Sequence, residues 1–512
     1  MDRKHMRQNN VLEYIEDAAQ RYPKNMAFQD DKTQITYSEL LRQARKIGYQ
    51  IAARGLGVRH PIVVFMDKCV ECLVSFFGVV ASGNFYVCID MQMPTERICK
   101  ILENLHPSAV LGKGIEGNKV FDGCLALEYE ELLGSNVEEA EMSGCLQDIR
   151  RRMIDADPLY LLYTSGSTGI PKGSVISHRS VIDYAEWVSR TFHFDETTVF
   201  GSQTPFYFSM SVLDIFTAVR NGASLQIIPK KLFSFPIKLL EYLKEKEVNA
   251  IYWVPSALSI VADWSALDYV EVPSLRVILF AGEVMPTRQL NVWRSRLPNA
   301  IYANLFGPTE ITDIGLFYIV NREFSDEEPI PIGRPCENMD AFAVTEEGEL
   351  IEGGEIGELY FRGSFVGHGY YNSIEQTEEA FVQNPLNQAY KETVYRTGDL
   401  VRINRYGEYV YVGRKDSQIK HMGYRIELGE IESVVNAFEK LERAVCLFHS
   451  KRDHIILLCQ GSAGKDEILS YVKDRLPSYM LPDEIISLRT LPLNANGKVD
   501  RKLLKETYLE GK

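Results

Sequence analysis

The sequence predicts an α/β protein with a large N-terminal lobe of α/β subdomains, a small β-rich subdomain and a small α+β C-terminal domain. Up to about residue 330, short apolar runs alternate with helix-length segments, a pattern typical of parallel strands covered by helices. Glycine-rich turns and short alternating strands follow, and new helix and strand signals begin near residue 416. Because 512 residues exceed one compact core, we divide the chain into 1–415 and 416–512.

The individual elements follow from the period of their apolar residues. Positions 11–22 and 38–53 have amphipathic helical patterns, with Ser38 as the expected N-cap of the second helix. Apolar runs predict buried strands at 61–66, 109–111, 225–228, 250–253 and 277–281. The β-rich part is expected to have strands at 349–351, 357–362 and 409–412. The C-terminal domain is expected to have helices at 427–439 and 467–475 and strands at 444–448 and 455–460.

Composition and charge exclude several classes of protein. The net charge of −14 argues against a general nucleic-acid or anionic-membrane surface, although a local basic loop can still bind ATP. The apolar stretches are too short to span a bilayer, and the first residues lack the apolar core of a signal peptide. The nine cysteines have no repeating spacing, which favours free thiols in a reducing compartment. We therefore expect a cytoplasmic protein with neither a nucleic-acid partner nor a membrane span.

A glycine-rich loop at residues 163–173 is the most informative motif. It follows the apolar run 159–162 and combines glycines, hydroxyl side chains and Lys172. Glycines let backbone N–H groups approach phosphate oxygens closely, hydroxyls add donors, and lysine adds charge. The loop lacks the Gly-Lys-Ser/Thr run of a Walker A motif, because Ile170 and Pro171 separate Gly169 from the lysine. The sequence predicts a polyphosphate loop of another family.

Further motifs follow in a fixed order at 304–310, 395–399, 413–428 and 496–502. Each is weak alone, because Gly-Pro and Asn-Gly pairs also mark ordinary turns. Together they resemble the adenylate-forming ligases, and more closely the adenylation domains of nonribosomal peptide synthetases and the stand-alone D-alanine–carrier protein ligases. The resemblance extends from about residue 12 to residue 502. It implies that a carboxylic acid attacks ATP to give an acyl adenylate, and that a thiol then displaces AMP.

The resemblance also implies roles for individual residues, with ATP and Mg²⁺ as cofactors. The triphosphate loop would comprise Thr164, Ser165, Gly166, Ser167, Thr168, Gly169 and Lys172. Asn304 and Phe306, where the family usually has tyrosine, would contact adenine, beside Gly307 and Thr309. Asp399 and Arg414 would bind the ribose. Glu310 would hold Mg²⁺, and Lys498 would bridge the substrate carboxylate and the α-phosphate, so that Lys498, Thr164 and Glu310 are the expected catalytic residues.

In this family a mobile C-terminal domain rotates between the two half-reactions. Asp416 matches the hinge position, and the loop of Gly423, Tyr424 and Arg425 would shape the thiol channel afterwards. Because the sequence ends shortly after Lys498, we expect the thiol acceptor to come in trans, as a phosphopantetheinylated carrier protein or coenzyme A. The versions of the 423–425 and 496–498 motifs look more like the carrier-loading branch.

The resemblance also identifies the lining of an acid pocket. Its residues are mostly apolar: Phe208, Ser209, Met210, Leu213, Tyr252, Leu279, Ala281, Leu305, Asp313 and Ile314. Activators of α-amino acids carry an aspartate where this chain has Ser209, and a hydroxyl cannot balance a buried ammonium. Asp313 could receive an amine placed away from the α-carbon, accept a phenol hydroxyl, or bond the backbone instead.

We therefore expect a small carboxylic acid, with a β- or ω-amino acid such as β-alanine first, a hydroxyaryl acid second and D-alanine third. An acyl-CoA synthetase is the alternative within the same chemistry. A non-catalytic nucleotide-binding protein is the alternative from another class. The intact Lys172, Glu310, Asp399 and Lys498 argue against that last alternative.

Overall fold

The computed structural model describes residues 8–166, 171–416, 418–492 and 499–509. The chain forms two compact units. Unit 1 comprises residues 1–91, 105–162 and 173–415, and unit 2 comprises residues 92–104, 163–172 and 416–512. The assignment of 1–415 and 416–512 as functional domains stays a prediction. None of the helices in the described ranges is long and apolar enough to cross a membrane.

The strands are numbered in chain order. They are β1 Met26–Gln29, β2 Gln34–Thr36, β3 Pro61–Phe65, β4 Phe85–Ile89, β5 Ala109–Gly112, β6 Leu125–Glu128, β7 Pro158–Thr164, β8 Lys172–Ser177, β9 Val199–Ser202, β10 Ser224–Ile227, β11 Ala250–Trp253, β12 Val277–Phe280, β13 Ile301–Phe306, β14 Leu316–Ile319, β15 Arg334–Pro335, β16 Met339–Val344, β17 Gly357–Gly363, β18 Gly369–Tyr370, β19 Phe381–Gln383, β20 Thr393–Ile403, β21 Tyr409–Arg414, β22 Gln418–His421, β23 Tyr424–Glu427, β24 Leu441–His449, β25 His454–Gly461 and β26 Glu484–Ser487.

The α-helices are α1 Leu12–Arg21, α2 Tyr37–Ala52, α3 Val70–Ala81, α4 Thr95–Leu105, α5 Tyr129–Gly134, α6 Glu139–Arg150, α7 His178–Phe192, α8 Ser211–Asn221, α9 Pro236–Glu245, α10 Pro255–Asp263, α11 Thr287–Arg296, α12 Ile374–Ala380, α13 Leu428–Asn436, α14 Lys465–Lys473 and α15 Arg501–Tyr508. Short 3-10 helices lie at Lys119–Phe121, Lys230–Ser234, Ala266–Asp268, Thr309–Ile311 and Ser478–Met480.

Unit 1 is built on three sheets. One has the order β15-β14-β13-β12-β11-β9-β10-β1-β2, and its neighbours from β1 through β10, β9, β11 and β12 to β13 run parallel. A second has the order β18-β8-β7-β4-β3-β5-β6. Its strands β3 and β4 are buried at every position, as expected for parallel strands covered on both faces. The third contains β16, β17, β19, β20 and β21 in antiparallel pairs, so the β-rich texture after residue 330 is confirmed.

Two predictions about local structure are wrong. Helix α2 begins at Tyr37, and its N-cap is Thr36 rather than Ser38. The Thr36 side chain accepts a hydrogen bond from the Glu39 N–H, and the Glu39 carboxylate accepts one from the Thr36 N–H, so both residues form a capping box. Residues 349–351 form no strand. After a turn, Leu350 makes one isolated β-bridge to Val344.

Unit 2 has its own hydrophobic core. Strands β24, β25 and β26 form a sheet in which β26 runs parallel to β25. Helices α13 and α14 contribute Ile431, Val435, Ile468 and Val472 to the buried cluster of this unit. Strands β22 and β23 form a separate hairpin whose turn residues, Met422 and Gly423, both have positive φ. Such a turn matches the twist of the paired strands, and glycine adopts it without strain.

Candidate active site

The predicted acid-pocket residues gather at the carboxyl ends of three adjacent parallel strands in unit 1. Tyr252 on β11 lies opposite Leu279 on β12, and Leu279 lies opposite Ala303 on β13. Because side chains alternate along a strand, Ala281 and Leu305 continue the same face two residues later. All of these side chains are buried. The edge beyond the carboxyl ends of parallel strands is where open α/β sheets bind ligands.

Asp313 is the carboxylic acid among the predicted pocket residues, and only 1% of its surface is exposed. Its Oδ2 accepts hydrogen bonds from the hydroxyl of Tyr184 at 2.6 Å and from the hydroxyl of Tyr252 at 3.1 Å. Burial raises the pKa of Asp313 to about 7, while the hydroxyls of Tyr184, Tyr252 and Ser209 act in the opposite direction. Within the described residues, the hydrogen-bond donors to this carboxylate are neutral hydroxyl groups.

The backbone before Asp313 is in an uncommon conformation. Thr312 has a φ of 74°, which non-glycine residues rarely adopt. Its hydroxyl donates to the Phe365 carbonyl at 2.8 Å, and its carbonyl accepts from the Tyr160 hydroxyl at 3.3 Å. These contacts hold the strained residue, which fixes the direction of the Asp313 side chain.

The remaining pocket residues come from the segment before α8, from α8 and from the segment after Asp313. Met210, Leu213 and Ile314 are buried, and Phe208 packs on Tyr207 with ring centroids 4.6 Å apart. Ser209 lies between the aromatic pair and the first turn of α8. The hypothesis that Asp313 bonds the backbone gains no support, because its hydrogen bonds come from side-chain hydroxyls.

An ionisable pair, the buried Asp214 and the half-buried Lys68, lies close to Asp313. Asp214 on α8 is fully buried beside the Ser202 hydroxyl, which favours the ionised form of its carboxyl group. Burial raises its pKa, and the positive charge of Lys68 opposes that shift. Lys68 donates to the Ser202 carbonyl at 2.9 Å, and burial lowers its pKa. The charge of Asp313 contributes to the raised pKa of Asp214, so these groups influence one another.

The residues predicted to contact adenine lie at the end of β13. Asn304 is buried, and its amide donates to the Pro331 carbonyl at 2.9 Å. The ring of Phe306 lies 6.0 Å from that of Tyr411, measured between centroids. A Cβ atom at Gly307 would lie 2.2 Å from the Asp313 carbonyl oxygen, so only glycine allows this close approach of the two backbone segments.

Glu310, the predicted Mg²⁺ ligand, lies in the 3-10 helix Thr309–Ile311. Only 1% of its surface is exposed, and Oε1 accepts a hydrogen bond from the Tyr370 hydroxyl at 2.6 Å. Its backbone carbonyl accepts from the Gly367 N–H. Both contacts come from the segment around β18, which therefore orients the carboxylate. Thr309 is buried beside it.

The predicted ribose residues form an ion pair across two antiparallel strands. Asp399 on β20 is the direct register partner of Arg414 on β21. The Arg414 Nη1 donates to Asp399 Oδ1 at 2.7 Å, and Nη2 donates to the Thr397 carbonyl at 3.0 Å. The Asp399 N–H donates to the Thr397 hydroxyl, so Thr397 braces both residues. A buried carboxylate paired on one side remains suited to accept hydroxyl donors on the other.

The start and end of the predicted phosphate loop lie in unit 2. The Thr164 hydroxyl donates to the Lys172 carbonyl at 3.5 Å. The Ser165 hydroxyl donates to the Arg425 carbonyl at 2.8 Å and accepts from the Glu427 N–H at 3.1 Å. Gly166 follows it. Ser167, Thr168, Gly169 and the predicted catalytic Lys498 lie outside the described residues.

The predicted hinge and thiol-channel residues also belong to unit 2. The Asp416 carboxylate accepts from the Gln418 N–H at 3.1 Å, which caps the start of the β22–β23 hairpin. In that hairpin Tyr424 stacks on Tyr479 with ring centroids 3.8 Å apart. Arg425 donates through Nε to Gln418 Oε1 at 2.7 Å.

Sequence reasoning missed the residues that hold the functional side chains in place. Tyr184 lies 129 residues before Asp313 and Tyr370 lies 60 residues after Glu310. Neither belongs to a motif. Tyr184 shares the buried face of an amphipathic helix with ordinary core residues, so its position in the sequence gives no sign of its role. Two supporting residues do fall within the sequence predictions: Tyr252 in the predicted pocket and Thr397 within the motif 395–399.

The family profile described as AMP-binding enzyme matches residues 15–371. The chain belongs to the AMP-binding enzymes. The predicted membership of the adenylate-forming ligases is therefore confirmed, and ATP and Mg²⁺ are the cofactors of such enzymes. The chain is 30% identical to the D-alanine–D-alanyl carrier protein ligase of Bacillus licheniformis, over 97% of this chain and 99% of that protein.

Other similar proteins are much longer. Gramicidin S synthase 2 of Aneurinibacillus migulanus is 31% identical over 506 residues, which are 98% of this chain and 11% of that synthase. The chain thus spans about a tenth of such relatives. Among solved structures, holo-PA1221, a nonribosomal peptide synthetase protein with adenylation and PCP domains bound to a vinylsulfonamide inhibitor, has a TM-score of 0.82 at 22% identity. The match covers 97% of this chain and 84% of that chain, and it confirms the predicted fold class.

Proposed function

We propose that this AMP-binding enzyme activates a small carboxylic acid with ATP as an acyl adenylate and transfers the acyl group to the phosphopantetheine thiol of a carrier protein. Similarity to a carrier protein ligase and to an adenylation–PCP protein supports a carrier as the thiol acceptor. We propose a β- or ω-amino acid such as β-alanine as the acid. The observation that carries this choice is the buried Asp313, whose hydrogen-bond donors among the described residues are uncharged hydroxyl groups.

A cation in the pocket would balance the charge of Asp313. Ser209 stands where an α-ammonium would need a carboxylate, so the α-position of the substrate has no counter-ion there. An amine one or more carbons farther from the carboxyl group would reach toward Asp313 instead. An ammonium paired with a desolvated carboxylate is far more favourable than either group buried alone. A hydroxyaryl acid is the second candidate, because a phenol hydroxyl could also donate to Asp313.

The nucleotide would be bound by residues of the motifs. Asn304 and Phe306 are suited to the adenine edge and face, and Asp399 is suited to the ribose hydroxyls beside Arg414. Within the described residues no cluster of three or more His, Cys, Asp or Glu side chains could hold a metal ion, so Glu310 would share Mg²⁺ with phosphate oxygens. Mg²⁺ supplies charge neutralisation for the phosphates.

The chemical work of the protein in the first step is positioning and charge stabilisation. The loop from Thr164 to Lys172 would orient the β- and γ-phosphates of ATP. Lys498 would lie between the attacking carboxylate and the α-phosphate, where negative charge develops as oxygen joins phosphorus and pyrophosphate leaves. In the second step the thiol attacks the acyl carbon and AMP departs. A rotation of the segment after Asp416 would exchange Lys498 for the 423–425 loop between these steps.

Pyrophosphate exchange with a panel of acids tests the proposal. We expect exchange with β-alanine or another β- or ω-amino acid to exceed exchange with D-alanine and with hydroxybenzoates. Strong exchange with D-alanine alone would contradict the role of Asp313. Acid-dependent exchange with no member of the panel would favour a nucleotide-binding protein without this activity.

Competition between holo-carrier protein and coenzyme A as acceptors separates carrier loading from acyl-CoA synthesis. The variant Lys498→Ala should slow adenylate formation far more than thioester formation from preformed adenylate, because the lysine acts only where the adenylate forms. Equal losses in both steps would contradict this assignment.

A further inference from the structure

A buried ion pair in unit 2 joins two segments that are far apart in the sequence. Arg97 on α4 donates through Nη1 to Oε1 of Glu430 on α13, across a separation of 333 residues. The side chains are only 5% and 3% exposed. We propose that Arg97 and Glu430 are positioning residues that latch the hairpin and helix of residues 418–436 onto α4 for the thioester half-reaction. This inference rests on the proposed function.

The burial of the pair distinguishes it from ordinary surface ion pairs. Removing water from two charges is costly, so a buried pair persists only where its geometry is well matched. Burial raises the pKa of Glu430, whereas Arg97 and the backbone of Gly166 favour the ionised carboxylate. Arg97 also lies against the Met480 sulfur, and Met480 is fully buried. The pair thus joins the first turn of α13 to α4.

The same contact region includes the beginning of the phosphate loop. Ser165 has one hydroxyl proton, and the Arg425 carbonyl accepts it. The Ser165 hydroxyl also accepts a hydrogen bond from the Glu427 N–H. Strand β23 therefore uses this hydroxyl both as a donor and as an acceptor. In the proposed adenylation step that hydroxyl would donate to a phosphate oxygen. The two uses of the proton exclude each other.

This exclusion assigns the latched arrangement to the second half-reaction. While the triphosphate holds Ser165, strand β23 lacks this hydrogen-bond partner. After pyrophosphate leaves, Ser165 can bond to Arg425 and Glu427, and Arg97 can hold Glu430 three residues farther along. The residues Tyr424 and Arg425, proposed to shape the thiol channel, lie in the segment that these bonds fix. The latch therefore stabilises the thioester-forming arrangement without contacting the acid or the nucleotide.

A neighbouring exposed ion pair offers a matched control. Glu96 precedes Arg97 on α4, and its carboxylate lies 3.3 Å from Arg475 Nε, with side chains 43% and 31% exposed respectively. Exposed pairs contribute little, because water screens them. The variants Glu430→Gln and Glu96→Gln thus remove the same charge from adjacent ion pairs that differ in burial.

The test measures each half-reaction separately. Glu430→Gln should lower single-turnover transfer from preformed adenylate to the holo-carrier by about tenfold to a hundredfold, with pyrophosphate exchange within about twofold of wild type. Glu96→Gln should change neither rate by more than about twofold. Arg97→Lys keeps the charge but loses the planar fork, so it should fall between these variants. Equal loss in both half-reactions, or no loss of transfer, would overturn the latch.

Hydrogen exchange supplies a readout that does not need activity. In Glu430→Gln without nucleotide, the amides of α4 and α13 should exchange faster than in wild type, whereas Glu96→Gln should leave them unchanged. Unchanged protection in Glu430→Gln would overturn the latch even if transfer were slow. If wild type catalysed no exchange with any acid, the proposed function would fall, and amide protection alone would decide the latch.

Discussion

Asp313 in unit 1 and Glu430 in unit 2 are both buried carboxylates, but their surroundings differ. Glu430 faces the guanidinium of Arg97, so its charge is balanced within the protein. Asp313 receives hydrogen bonds from the hydroxyls of Tyr184 and Tyr252, which carry no charge. A buried anion that only neutral donors stabilise has an incomplete environment. The protein itself balances the charge of Glu430, whereas the proposed amine substrate would balance the charge of Asp313.

Removing the charge of Asp313 has the largest expected effect and tests whether Asp313 differs from Glu430 in binding a ligand. If an amine substrate pairs with it, Asp313→Asn should lower kcat/KM for that acid in pyrophosphate exchange by about a hundredfold or more. The KM for ATP should stay near its wild-type value, because the nucleotide residues are unchanged. Thermal unfolding of the variant serves as the control for folding. A loss below about threefold would place Asp313 with the internally balanced carboxylates.

Adding a carboxylate next to Asp313 tests the same distinction by another route. Ser209→Asp should raise the pKa of Asp313, because two neighbouring carboxylates repel each other when both are ionised. Exchange with a β-amino acid at pH 7 should fall by about tenfold or more, and the ratio of D-alanine to β-alanine exchange should rise. The isosteric control Ser209→Ala should alter this ratio much less. An unchanged ratio in Ser209→Asp would show that residue 209 does not select the position of the amine.

Removing one neutral donor sharpens the comparison. Tyr184→Phe deletes the shorter hydrogen bond to Asp313, and a hydrogen bond to a charged group contributes about 1.5–3 kcal/mol. We expect kcat/KM for the acid to fall by about tenfold, with the pH profile displaced upward because the ionised form loses a donor. Tyr252→Phe deletes the longer bond and should have the smaller effect. A fall in kcat/KM without displacement of the pH profile would indicate a packing role only.

The pH dependence of kcat/KM tests the ionisation of Asp313 without a change of sequence. Because the pKa of Asp313 is raised to about 7, its carboxylate gains charge as the pH rises through that value. For an amine substrate, kcat/KM should rise by about tenfold from pH 6 to pH 7.5 and then level off. Asp214 and Lys68 lie close to Asp313 and also have shifted pKa values. The control is therefore Asp313→Asn, measured at each pH. In this variant the rise of kcat/KM with pH should be much smaller.

The raised pKa of Asp313 also affects the stability of the fold. It should make the free energy of unfolding fall as the pH rises. A carboxyl group whose pKa is raised in the folded state favours folding most below its unfolded value of 3.8. That contribution is lost as the pH rises toward about 7. The free energy of unfolding without substrate should therefore fall more steeply over this range in wild type than in Asp313→Asn. Parallel curves for the two proteins would contradict the raised pKa.

The sequence alone determined the family, the fold class and the identity of most proposed site residues. These features depend on short segments: apolar periods set the strands, and motifs such as 304–310 keep their residues on one strand end. The element bounds from periodicity were accurate to a few residues for β3 and β11, because both are uniformly apolar. The sequence analysis placed the N-cap of α2 at Ser38, whereas the structure has it at Thr36, because the cap depends on backbone geometry.

Only the tertiary structure decided which residues support the motif residues. Tyr184 reaches Asp313 and Arg97 reaches Glu430 because distant elements pack together, and no local pattern encodes such pairs. Their physical contribution is to replace water around a buried charge, in one case by neutral hydroxyls and in the other by a cation. The ionisation state of a buried side chain depends on all the groups that replace water around it. It is therefore a property of the folded chain and not of any one segment of the sequence.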